Sequence, residues 1–108
     1  MSDFPNDSDG DSLRRVVESG SDLSQPMSID FIVDAPNEQA ARLIAKLVTA
    51  EGFDPSLSDN GGTSPWSVFC SKFMLATYEA VVAARTQLNE IARAHGGRCD
   101  EWQTFGNA

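Results

Sequence analysis

The chain has 108 residues, enough for one compact domain and too few for two, and its 41% apolar and 22% charged residues suit a packed core with an ordinary surface. No apolar run nears the roughly 18 residues of a membrane span. The net charge is −8, and nine acids against Arg14 and Arg15 put −7 of it in residues 1–38; such a field repels phosphate backbones, which argues against direct nucleic-acid binding and leaves either a plain solvated surface or a basic protein partner.

Residues 1–6 read as an extended lead-in, acidic and polar where a signal peptide would be basic and apolar, so a cytoplasmic protein is expected. Residues 7–18, DSDGDSLRRVVE, nearly spell a calcium loop, with Asp7, Asp9 and Asp11 at ligand positions 1, 3 and 5 and Glu18 at position 12. The match fails where it counts. Position 6 is Ser12 instead of glycine, position 8 is Arg14 instead of an apolar residue, and Leu13, Val16 and Val17 already recur at helical spacing. A helix over about 9–19, ended by Gly20, uses the same residues better. Asp7, Ser8, Asp9 or Asp11 then caps its start, the acids favour the positive end of its dipole, and Asp7, Asp9 and Asp11 together form an acidic patch.

Residues 27–34 alternate, with Met27, Ile29, Phe31 and Val33 on one face and Ser28, Asp30, Ile32 and Asp34 on the other, which predicts a strand with one buried face. Pro36 opens a helix to about Glu51 with an apolar stripe of Ala40, Leu43, Ile44, Leu47 and Val48, stopped at Gly52. Phe53 to Ser58 is a short strand, and Pro55 places it at a sheet edge because proline cannot donate to a ladder. Asp59 to Gly62 is a turn. Trp66 to Met74 is the next strand, with Trp66, Val68 and Cys70 on one face and Phe69 and Phe73 on the other. Thr77 begins a long helix to about His95 with Val81, Ala84, Leu88 and Ile91 as its buried stripe, and Gly96-Gly97 stops it. Arg98 to Phe105 is the last strand.

The order is a helix followed by βαββαβ. It predicts one α+β domain over residues 1–108, a ferredoxin-like sandwich whose four-stranded antiparallel sheet runs 4-1-3-2, with an added N-terminal helix. In that order Cys70 and Cys99 sit two strand spacings apart, too far for a disulfide. Two cysteines and the lone His95 offer no zinc set, and no phosphate loop or nucleophile motif stands out, so no metal, cofactor or enzymatic activity is expected.

The two paired helices leave one sheet face open. On its central strands that face shows Asp30, Ile32, Phe69, Ser71 and Phe73, too apolar for idle surface. Either Leu13, Val16 and Val17 of the first helix pack there, which is favoured because a bare apolar patch is a liability, or the face binds a partner or a second copy of the chain. Rings on an open sheet also suit RNA, but Asp30 and the net charge oppose it. Trp102 is either an interface anchor or a core residue, because polar groups flank it on both faces.

Phe4-Pro5-Asn6-Asp7, Asp9-Gly10-Asp11 and Gly20-Ser21-Asp22, with Thr77-Tyr78-Glu79, Gly96-Gly97 and the run Asp100 to Phe105, resemble the regulator of ribonuclease E activity B family. Asp100, Trp102 and Thr104 match that family's Asp-Gly-Trp-Gly-Thr ending, and Glu101 and Gln103 stand where it has glycines. The resemblance implies a ferredoxin-like, non-enzymatic protein that binds and inhibits the endoribonuclease RNase E. Residues that bind such a partner are expected, from the open-face alternation and the last strand, among Asp30, Ile32, Phe69, Phe73, Asp100 and Trp102. The competing reading is a homodimeric or structural module.

Overall fold

The computed structural model describes residues 8–62, 65–104 and 106. The lead-in, Asp7, Phe105 and the side chain of Asp100 lie outside the described residues. Helix α1 spans Ser8–Glu18, strand β1 Met27–Ala35, helix α2 Glu38–Ala50, strand β2 Asp54–Ser58, strand β3 Trp66–Met74, helix α3 Tyr78–Arg93 and strand β4 Arg98–Thr104. The strands form one antiparallel sheet in the order β2-β3-β1-β4, the order expected, with the proline-bearing β2 at an edge. A short 3₁₀ turn, Asn60–Gly62, joins β2 to β3, with Asn60 and Gly61 both at positive φ.

Alternation sets the faces. Along β1, Met27, Ile29, Phe31, Val33 and Ala35 are buried, and they meet Val68 and Cys70 of β3, the buried stripes of α2 and α3, and Leu13 of α1. Phe31 and Phe53 meet edge to face, with ring centres 5.9 Å apart.

Two helix details differ from expectation. Helix α2 starts after Asn37, whose side chain accepts from the Ala40 N–H at 2.9 Å, so Pro36 precedes the cap and is not the first helical residue. Its buried stripe is Ala41, Ile44, Ala45 and Val48, while Leu43 and Leu47 are 42% and 37% exposed. The small alanines let the helix lie close against β2 and β3, which rotates the larger leucines outward. In α3 the cap is Thr77, as expected, and Ala92 takes the buried place assigned to Ile91, which is partly buried.

The largest difference concerns α1. It packs on α3 and beside β4, on the side of the sheet that already carries α2 and α3. Leu13 is fully buried there, and Val16 lines a cleft with Trp102. The expectation that α1 covers the open sheet face is therefore corrected: among the described residues no helix lies on it.

Candidate functional site

The pairing of strands builds the open face row by row. One row runs Asp54, Ser71, Asp30 and Gln103 across β2, β3, β1 and β4. The next runs Ser56, Phe69, Ile32 and Glu101, and the third runs Ser58, Ser67, Asp34 and Arg98. Phe73 lies beyond the first row, opposite Ser28. Four of the residues expected to bind a partner, Asp30, Ile32, Phe69 and Phe73, thus come together on one surface. Ile32 and Phe69 are direct cross-strand neighbours, and Phe73 is 70% exposed. A phenyl ring so exposed, on the same sheet face as the partly buried Ile32–Phe69 pair, leaves water against surface that a partner could cover.

Asp54 and Glu101 belong to the same surface and were missed in the sequence, because only the register brings them beside Ser71 and Ile32. Arg98 approaches Asp34 at 3.9 Å. No ion pair among the described residues engages Asp30, Asp54 or Glu101, so the face carries an excess of negative charge next to its apolar residues.

Trp102 is not on this surface. It pairs with Phe31 on the helix-covered side and is 9% exposed. The reason is a β-bulge. The β1–β4 register shifts between Ile32 and Val33, pairing Ile32 with Glu101 and Val33 with Cys99 and skipping Asp100. The extra residue lets Cys99 and Trp102, three apart, both face the core, which strict alternation forbids. The interface-anchor alternative for Trp102 is thereby corrected to a core role.

Asp9 is corrected too. Its carboxylate is not part of a surface patch; the residue is 3% exposed. It accepts from Trp102 Nε1 at 3.0 Å and from Arg85 Nε and Nη2 at 3.1 and 2.7 Å, so its charge and lone pairs are satisfied inside the fold. These three residues latch α1 to α3 and β4. Asp11 is exposed on α1 and pairs with Arg14. Residues 8–18 are helical and Asp9 is engaged in this way, so the described part of that stretch is a helix and not a calcium loop. Among the described residues no group of three or more His, Cys, Asp or Glu side chains is arranged to hold a metal.

Cys70 and Cys99 are free thiols buried on opposite sides of β1. Burial pushes the Cys70 thiol up to about 12. It is therefore a packing residue, not a nucleophile. The folded thiol stays protonated where the unfolded one ionises, so stability is full below about pH 9 and falls as pH rises toward about 12. Native protein should leave Cys70 unalkylated by iodoacetamide at pH 8 and react only on unfolding; rapid native labelling of Cys70 by mass spectrometry would contradict its placement.

The described helices include none long and apolar enough to cross a membrane. A search of curated proteins finds no match. The family model for Regulator of ribonuclease activity B matches residues 6–104. That span includes the latch of Asp9, Arg85 and Trp102 and every residue of the open face, so the match covers both the packing and the surface just described: the chain belongs to the RraB family, the regulators of ribonuclease activity.

Proposed function

We propose that the protein is a non-enzymatic regulator that inhibits an endoribonuclease of the RNase E type by docking on it through the open sheet face. The observation that carries this reading is the face itself, where Phe73 is exposed and Ile32 and Phe69 are partly so, among Asp30, Asp54 and Glu101. Family membership supplies the class of target. The charge favours a basic protein surface and disfavours direct contact with RNA phosphates. It also disfavours a homodimer through this face, because a two-fold contact sets each acidic patch close to its own copy. A ferredoxin-like class goes with the element order and the strand order, and on this reading the protein is cytoplasmic, like the regulators whose family it shares. Asp100 keeps its place in the proposal only as a β4 position beside the face.

The test is RNA cleavage by the host's RNase E with and without this protein over a salt series. The expected result is dose-dependent inhibition that weakens as the Debye length shrinks from about 10 Å at 0.1 M toward about 3 Å at 1 M. Full cleavage at every dose, with no complex by light scattering, would overturn the reading.

A further inference from the structure

The register of the open face places four side chains around one small one. Ser71 lies at the centre, on β3. Asp54 on β2 and Asp30 on β1 flank it, each one strand spacing away, about 4.8 Å. Phe69 and Phe73 lie two residues before and after it on the same strand face, each about 6.8 Å along β3. The centre is low because Ser71 is small, and its hydroxyl lies 3.2 Å from that of Ser28. Carboxylates thus stand on one axis of a cross and phenyl rings on the other, with a shallow floor between them.

We infer that this cross holds an arginine side chain from an extended, arginine-bearing segment of the protein partner. The inference rests on the reading of the open face as the docking surface and names the chemistry that the face selects. A guanidinium is flat, so one of the two rings can stack on it, and its five N–H donors reach outward in its plane toward carboxylates on both sides. A lysine ammonium is a compact, strongly hydrated point charge and cannot stack on a ring and bridge two carboxylates at once. The backbones of Asp30 and Asp54 stand two strand spacings apart, about 9–10 Å, a gap across which the two carboxylates can reach the opposite edges of one guanidinium. Ile32 and Glu101 continue the pattern one row on, an apolar contact beside an acid, which suits the next residues of a segment crossing the strands. Single-stranded RNA would find rings here too, but its phosphates would meet Asp30, Asp54 and Glu101.

The experiment titrates the full chain, labelled with ¹⁵N, with two ten-residue peptides of equal charge, one carrying arginines and the other lysines at the same places. The arginine peptide is expected to bind about three- to tenfold more tightly, with shifts centred on Ser71 and its four neighbours. Asp30→Asn with Asp54→Asn, and separately Phe73→Ala, should remove most of that preference; these positions are partly or fully exposed, and a melting curve checks that each variant folds. Equal binding of the two peptides, shifts centred elsewhere, or uptake of single-stranded RNA on the same face would overturn the inference. Inhibition of RNase E by the same preparation is read in parallel. Inhibition without arginine preference removes the arginine site and leaves the regulator reading, and arginine preference without inhibition does the reverse.

Discussion

Replacing Trp102 with alanine lowers the unfolding free energy by roughly 3–5 kcal/mol, the range for deleting a large aromatic side chain from a core. The residue is buried opposite Phe31 on the neighbouring strand, and among the described residues it is the β4 side chain that bonds Asp9. Trp102→Phe keeps most of the apolar volume and removes the donor. It should cost about 1–3 kcal/mol, since one hydrogen bond to a buried charged acceptor is lost. Asp9→Ala leaves the indole N–H without its acceptor and Arg85 without its carboxylate. The cost should be about 2–4 kcal/mol, below that of breaking a fully buried pair, because the Arg85 side chain is 27% exposed and can turn to water. The two positions share one hydrogen bond, so Asp9→Ala and Trp102→Phe together should fall short of additivity by 0.5 kcal/mol or more, the scale of contacting residues. Urea unfolding followed by circular dichroism measures all four states. Strict additivity, or a loss under about 0.5 kcal/mol for Asp9→Ala, would mean that the latch does not hold α1.

Gly97→Ala is the second large effect. A Cβ on Gly97 would stand 2.1 Å from the backbone oxygen of Asp34 on β1, well inside contact distance, and backbone cannot swing aside as a flexible side chain can. The Gly97 N–H also donates to Ala92 O at 2.8 Å and closes α3, so the turn cannot retreat without opening the helix end. Alanine here should cost about 3 kcal/mol or more. Its neighbour makes the control. Gly96 has φ +81, and its added Cβ would only touch Pro36 at 3.4 Å, so Gly96→Ala carries the left-handed backbone penalty of about 1–2 kcal/mol and little else. Equal losses at the two glycines, by thermal or urea unfolding, would contradict the close approach of the turn to β1.

Much of the architecture could be read from alternation and punctuation. Met27 to Val33 declared a half-buried strand, Pro55 an edge, and Thr77 and the Gly96-Gly97 pair the limits of α3. The open face followed from the same alternation, which is why Asp30, Ile32, Phe69 and Phe73 were found. What escaped depended on events that leave no local pattern. The bulge that skips Asp100 turns Trp102 inward, and an alternation rule applied to residues 98–105 could not show it. Asp9 looks like a capping acid because its partners lie 76 and 93 residues away in the chain. The placement of α1 on α3 depends on that same pairing. Leu43 and Leu47 suit a helix stripe as well as Ala41 and Ala45 do, and only the approach of α2 to the sheet selects the smaller pair. Asp54 and Glu101 joined the face through register alone.

The most direct test of a docking role for the open sheet face is a hydrogen-exchange and methyl-shift footprint of the full chain bound to RNase E. The account predicts perturbation concentrated on β3, β1 and β2 around Ile32, Phe69, Ser71 and Phe73, with the solvent sides of α2 and α3 unchanged. A footprint on the exposed side of α2, around Leu43 and Leu47, with the open face left as in the free protein, would contradict it.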